Sequence, residues 1–190
     1  MTYFLDFDRT LFDTDAYNRS LADEPACAPF REEILHVIRT PYHDLAADDP
    51  ARLAVWAKVT EVMSSGELTF APNYLSRFVY PDVPEVLRKL ASDAVIITFG
   101  ELTRQKTKIA SALTDCMPPT ILYVGDAKKA AYLKTWEGYT GEPAVFVDDR
   151  PSELSLMQEL FPQMRLFEMR RDAGAGDGRW PVIRSLAELP

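Results

Sequence analysis

Tyr3-Phe4-Leu5-Asp6-Phe7-Asp8-Arg9-Thr10 is an apolar run that breaks into two carboxylates, Asp6 and Asp8, two positions apart. Its length and aromatic content read as a buried strand, Tyr3–Phe7, and period-two alternation puts both carboxylates on one side as the strand runs out. In open α/β sheets ligands bind beyond the carboxyl ends of strands. The arrangement returns at Ala144-Val145-Phe146-Val147-Asp148-Asp149-Arg150-Pro151, where a buried strand again ends in adjacent acids. If these two strands are neighbours, Asp6, Asp8 and Asp148 converge on one point. Like charges so close require a cation or a proton. Hard oxygen ligands grouped in this way suit Mg2+.

Working outward, Ala94–Thr98, Ile121–Val124 and Met164–Met169 read as further buried strands. Helical patterns separate them: Pro84–Ala91, Leu102–Leu113, Ala127–Trp136 and Pro151–Leu160. Strands alternating with helices predict an α/β fold, a Rossmann-like parallel sheet with helices on both faces. The exception lies between the first two strands. There the chain holds helical runs at Phe30–Arg39, Ala51–Met63 and Tyr74–Phe78, with Pro41, Pro50 and Pro72 between them. This is too much helix for one crossover and predicts an α-helical insertion. The expected division is a core of residues 1–14 and 79–190, with a cap over 15–78. His36 and His43 fall in that insertion without metal-ligand spacing, and Trp56, Met63 and Phe70 read as its own core. The glycine-rich Asp172–Gly178 lacks the strand-to-helix setting of a phosphate loop.

The chain has 190 residues and a formal net charge of −8. That balance disfavours binding to nucleic acid or to an anionic membrane surface, so any phosphate site must be built locally. No apolar run reaches the length of a membrane helix, and the N-terminus reads as a strand rather than a signal peptide. Cys27 and Cys116 have no paired spacing, which predicts free thiols and a cytoplasmic location. A monomer or homodimer is expected. Basic residues gather at Arg104, Lys106 and Lys108 and at Lys128, Lys129 and Lys134. The plain reading of both groups is a solvated helix face.

Asp6-Phe7-Asp8-Arg9-Thr10-Leu11 resembles the Asp-x-Asp-x-Thr motif of the haloacid dehalogenase-like superfamily. Thr98 resembles its second motif, a lysine within Ala127–Lys134 its third, and Asp148-Asp149 its acidic fourth. The resemblance covers Met1 to about Asp13 and about Arg77 to Met169, and the insertion matches a helical cap in position. It implies a phosphohydrolase in which Asp6 attacks phosphorus and Asp8 acts as acid, then base. It also implies that Mg2+ is held by the Asp6 side chain, the Asp8 main-chain carbonyl and Asp148, with Asp149 ordering the shell. Thr98 would bind a phosphoryl oxygen, and Arg9, Phe99, Gly100 and Lys128 would line the substrate site. Lys129 is the first choice for the catalytic lysine and Lys128 the second. Lys134 lies in the same segment, and Lys108 reads as a surface charge.

The sequence departs from the pattern at Arg9, where glycine is commoner, and at Phe99, where asparagine is common. Asp8 favours phosphate chemistry over dehalogenation, which needs no acid there. The expected substrate is a small phosphorylated metabolite. A phosphomutase sharing the aspartyl-phosphate is the alternative within enzymes, and a non-catalytic binding protein the alternative outside them.

Overall fold

The computed structural model describes residues 1–39, 49–125, 128–172 and 174–190. Pro41, His43 and the start of the helix expected from Ala127 lie outside those residues. The strands are β1 (Thr2–Leu5), β2 (Ala94–Phe99), β3 (Thr120–Val124), β4 (Ala144–Asp148), β5 (Arg165–Met169) and β6 (Val182–Ile183). They form one six-stranded sheet in the order β3-β2-β1-β4-β5-β6, and every pairing is parallel. Two-residue β6, at the edge, is too short to be read from sequence. β1 and β4 are neighbours, with Thr2 opposite Ala144 and Leu5 opposite Val147. The strand order reverses beside β1, and in doubly wound sheets that reversal opens a ligand crevice.

Alternation along the strands feeds two cores. Tyr3, Leu5, Ile96, Val145 and Val147 face one side, and Phe4, Val95, Ile97 and Phe146 face the other. Helices α4 (Val83–Leu90) and α5 (Leu102–Ala112) cover the first face through residues such as Leu87 and Ile109. Helices α6 (Lys129–Thr135) and α7 (Pro151–Leu160) cover the second through Leu133, Leu154 and Met157. Near-complete burial of such side chains stabilises the fold by about 1.5–3 kcal/mol each, before conformational entropy is charged against it.

Between β1 and β2 lie α1 (Thr14–Leu21), α2 (Arg31–Arg39) and α3 (Pro50–Ser64), with 3-10 turns at Pro25–Phe30 and Tyr74–Phe78. The chain leaves and returns at one place: Asp13 N donates to Phe78 O at 2.7 Å and Tyr80 N to Leu11 O at 3.1 Å. The core of these helices is continuous with the sheet face above β1, since Tyr17, Ile34, Val59 and Met63 join the cluster that holds Leu5 and Ile96. Met63 is therefore not part of a separate core. Phe70 stacks on Tyr74 and meets the edge of Tyr17. Among the described residues, no helix is long and apolar enough to cross a membrane. Cys27 and Cys116 are free.

Candidate active site

The strand expected to reach Phe7 ends at Leu5, although Asp6 N still donates to Val147 O at 3.0 Å. Beyond it the chain turns tightly, Leu11 N and Phe12 N both donating to Phe7 O. Arg9 adopts φ 61° in this turn. The left-handed conformation explains why glycine is favoured here, because a side chain costs about 1–2 kcal/mol at such a φ. Arg9 gains in return a pair with Asp15 in the first turn of α1, Nη2 to Oδ1 at 2.7 Å.

The turn separates the two carboxylates that alternation placed together. Asp6 is 4% exposed. Its Oδ1 accepts from Lys129 Nζ, which also donates to Asp148 Oδ2 at 2.7 Å. Oxygens of Asp6, Asp148 and Asp149 lie within 4.8 Å of one another. The Asp8 side chain is not in that group. It points to α5 and α1, accepting from Lys108 Nζ, from Gln105 Nε2 at 2.8 Å and from Thr14 Oγ1 at 2.6 Å.

Lys108 is thus not a surface charge: it is 3% exposed, with its ammonium near the rings of Phe7, Phe12 and Tyr17. On α5, Gln105, Lys108, Ile109 and Ala112 are all buried, the i, i+3, i+4, i+7 spacing of an inward face. A glutamine and a lysine on that face were the signal available in the sequence. Gly100, at φ 140°, makes room for this network. A Cβ there would lie 2.9 Å from Gln105 Nε2, the atom that reaches Asp8.

The electrostatics follow from burial and these pairings. Burial and the neighbouring acids push the Asp6 carboxyl well above the usual range, against the pull of Lys129. Burial and the Asp148 charge push Asp149 up to about 7. Burial alone would raise Asp8 as well, but Lys108 and the three hydrogen bonds reverse it and hold Asp8 well below the usual carboxylate range. Lys129 sits above the ordinary lysine value because Asp148 and Asp6 outweigh its burial. For Lys108 burial wins, and it sits below. Lys129 donates to two of these three carboxylates, Asp6 and Asp148, so a single ammonium faces the whole acidic group. Asp6 Oδ2 is buried without a hydrogen-bond partner. A divalent cation fits this donor set of hard oxygens in both charge and chemistry.

Thr98, the penultimate residue of β2, is 1% exposed, its Oγ1 also without a hydrogen-bond partner. It is not the cap of α5, since Glu101 accepts from Thr103 N and Arg104 N, both at 2.8 Å. Those amides, which could otherwise hold a phosphate oxygen, are therefore occupied. Lys128 pairs with Glu153 at 3.7 Å with its side chain 57% exposed. It is not among the residues that line the cavity. Lys134 is exposed in the last turn of α6, and His36 is exposed on α2. Residues 174–178 pack on β5: Asp177 N donates to Glu168 Oε2 at 3.0 Å, and a Cβ on Gly176 would lie 2.5 Å from that oxygen.

A cavity of about 760 Å³ opens between the sheet's carboxyl edge and α3; Asp6, Thr98, Lys129, Asp148 and Asp149 are not among its lining residues. Asp8, Arg9, Phe99 and Gly100 line it. Arg52 and Trp56 from α3, and Arg104 and Lys108 from α5, were not anticipated there. Trp56 in particular is cavity wall rather than buried cap core. Arg9, Arg52, Arg104, Lys108 and Arg150 outnumber Asp8, Glu61 and Glu101 around the cavity. An acidic protein thus carries a locally basic cavity.

No family model and no curated protein matches the sequence. Solved structures do. A haloacid dehalogenase-like hydrolase from Burkholderia xenovorans LB400 aligns with a TM-score of 0.69 at 21% identity, over 99% of this chain and 94% of its own. A haloacid dehalogenase-like hydrolase from Bacteroides fragilis gives 0.61 at 13% identity, over 100% and 99%. The L-2-haloacid dehalogenase of Xanthobacter autotrophicus, with chloropropionic acid covalently bound, gives 0.56 at 16% identity, over 99% and 96%. The chain has the α/β fold of the haloacid dehalogenase-like hydrolases.

Proposed function

We propose that this chain is a Mg2+-dependent phosphohydrolase of the haloacid dehalogenase-like superfamily, acting on a small phosphate monoester through an aspartyl-phosphate. The observation that carries the reading is Asp6. Its Oδ2 is buried and unpartnered, while Lys129 holds the other oxygen, and two residues along the chain Asp8 lines a cavity ringed with basic side chains. Asp6 Oδ2 attacks phosphorus and the ester P–O bond breaks. The leaving oxygen takes a proton from the Lys108–Asp8 pair. Asp8 then takes a proton from the water that cleaves the aspartyl-phosphate, restoring the pair and releasing phosphate. Lys129 orients Asp6 and offsets charge on the transferred group. Thr98 Oγ1 donates to a phosphoryl oxygen. Asp6, Asp148 and Asp149 would hold Mg2+, which supplies charge neutralisation between nucleophile and phosphate.

Hydrolysis of p-nitrophenyl phosphate, with Mg2+ and with chelator, tests this for wild type and Asp6→Asn. Metal-dependent turnover lost in the variant supports it. A second reading comes from the fold shared with a dehalogenase, although Asp8 is not needed for that reaction. Chloride release from 2-chloropropionate without Mg2+, in place of phosphate release, would replace the proposal.

A further inference from the structure

We infer that the leaving group of the substrate is a polyol, whose hydroxyls donate to Gln105 Oε1 and pair with Tyr17 Oη. The inference rests on the phosphohydrolase reading and names the class of ester. The residues that would hold phosphate and metal are absent from the cavity wall, whereas Asp8 and Lys108 are part of it. The cavity therefore lies on the side of the leaving oxygen, and its volume of about 760 Å³ is ample for a small alcohol.

Two helix faces build the wall beside the Asp8–Lys108 pair. Thr14, Tyr17, Asn18 and Leu21 of α1 line it at i, i+3, i+4 and i+7, and Gln105 and Lys108 of α5 at i and i+3. Tyr17 Oη and Gln105 Oε1, on residues 1% and 2% exposed, are buried without a hydrogen-bond partner among the described residues. Buried polar atoms are nearly always paired, so each such orphan needs a reason. Two in one cavity wall have a common reason in a ligand that pairs both. The other hydroxyls of the wall are engaged: Thr14 Oγ1 donates to Asp8 Oδ1 at 2.6 Å, and Thr60 Oγ1 to Trp56 O at 2.9 Å.

The two orphans define what the ligand offers. Gln105 Nε2 donates to Asp8 Oδ2 at 2.8 Å and to Phe99 O at 2.9 Å. Both partners are acceptors, which fixes the amide's orientation and leaves Oε1 in need of a donor. The Tyr17 ring is held by the rings of Phe12, Phe70 and Phe78, and burial pushes its phenol up, so the hydroxyl keeps its proton. The Lys108 ammonium lies 5.7 Å from the centre of that ring, and Gln105 binds Asp8 itself. Both residues thus flank the pair that protonates the leaving oxygen, so what they bind belongs to the alcohol. An alcohol hydroxyl is donor and acceptor at once, whereas a methyl group in its place satisfies neither atom.

The test compares glycerol 2-phosphate with pentan-3-yl phosphate, its isostere with two methyl groups in place of the two hydroxyls. The expected kcat/KM ratio favours the glycerol ester by about 100-fold in wild type. It falls about tenfold in Tyr17→Phe and in Gln105→Met, and holds in the exposed control Lys89→Gln. Intrinsic reactivity of the two esters is the same for every variant, so the fall reads the contact alone. Tyr17→Phe removes an unpaired buried hydroxyl, so its Tm should be no lower than that of wild type. A ratio near one in wild type, or one retained in either variant, overturns the inference, as does turnover of p-nitrophenyl phosphate alone. If no ester is turned over, the phosphohydrolase reading falls instead, and calorimetry with the same two esters as ligands reads the subsite. Tighter binding of the glycerol ester that is lost in Tyr17→Phe upholds it, and equal affinities overturn it.

Discussion

Lys108 donates to Asp8 Oδ1 at 2.5 Å with its ammonium enclosed by the rings of Phe7, Phe12 and Tyr17. The second carboxylate of the motif is thereby kept ionised by a helix that begins only after β2. Replacing the lysine should free the burial effect that the pair suppresses. In Lys108→Met the Asp8 pKa rises, because burial becomes the dominant influence. The acid limb of the pH–rate profile therefore moves to higher pH, and kcat near neutrality falls about 100-fold. Profiles of p-nitrophenyl phosphate hydrolysis decide it. An unmoved acid limb would dissociate Asp8 from the chemistry.

The acidic group of Asp6, Asp148 and Asp149 should bind Mg2+ measurably by calorimetry. Asp149→Asn should weaken that binding by at least about tenfold. Binding should also weaken as pH falls through about 7, where Asp149 takes up a proton. Affinity independent of both the variant and pH would remove Asp149 from the metal site.

Arg9 tests the strained turn. Glycine usually destabilises relative to alanine, but at φ 61° the order should invert. Arg9→Gly and Arg9→Ala both lose the Asp15 pair, and only alanine keeps the strain. The glycine variant should be the more stable by about 1 kcal/mol in urea denaturation. Equal stabilities would show that the turn relaxes.

Arg171 ties the far end of the chain to the same turn. Its Nε and Nη2 donate to Thr10 O at 3.0 and 2.8 Å, and its Nη1 binds Asp82 at 2.8 Å. Asp82 also accepts from Leu186 N at 2.6 Å and Ser185 Oγ at 2.9 Å. Arg171→Ala leaves a partly buried carboxylate unpaired and should cost about 3 kcal/mol, a fall in Tm of about 6–12 °C. An unchanged Tm would show the tie to be dispensable.

The Asp82 pKa lies below its ordinary value: burial raises it, but the hydrogen bonds and the charge of Arg171 prevail. The stability this contributes is full above the ordinary carboxylate range and is lost as pH falls through the depressed value. Thermal melts should therefore separate wild type from Asp82→Asn at neutral pH and converge as pH falls below the ordinary carboxylate range. A gap that persists in acid would assign the loss to packing rather than to charge.

How much of the site was legible depended on how local its signals are. Asp6, Asp148 and Asp149 announced themselves because each follows an uninterrupted apolar run, and strand length with alternation fixes where such a run ends. Lys129 was the first choice among the lysines of the Ala127–Lys134 segment. Lys108, Gln105 and Thr14 were not found, although all three bind Asp8. The helix that carries Thr14 buries only Thr14, Tyr17 and Leu21, too sparse a pattern to stand out. Lys128 was expected at the substrate site, but it stands at the N-cap of α6 in extended backbone, where it pairs with Glu153.

The sequence by itself determined the alternation of strands and helices, the helical insertion after the first strand, and the acidic strand ends. These depend on hydrophobic periodicity over a few residues. Tertiary structure alone decided that β1 lies beside β4, that Asp6 and Asp8 part company at Arg9, and that α3 and α5 bring Arg52 and Arg104 to one cavity. Those outcomes depend on which distant surfaces pack together. Such packing is set by burial and pairing between segments as much as 161 residues apart, as Arg171 and Thr10 are, which no local pattern encodes.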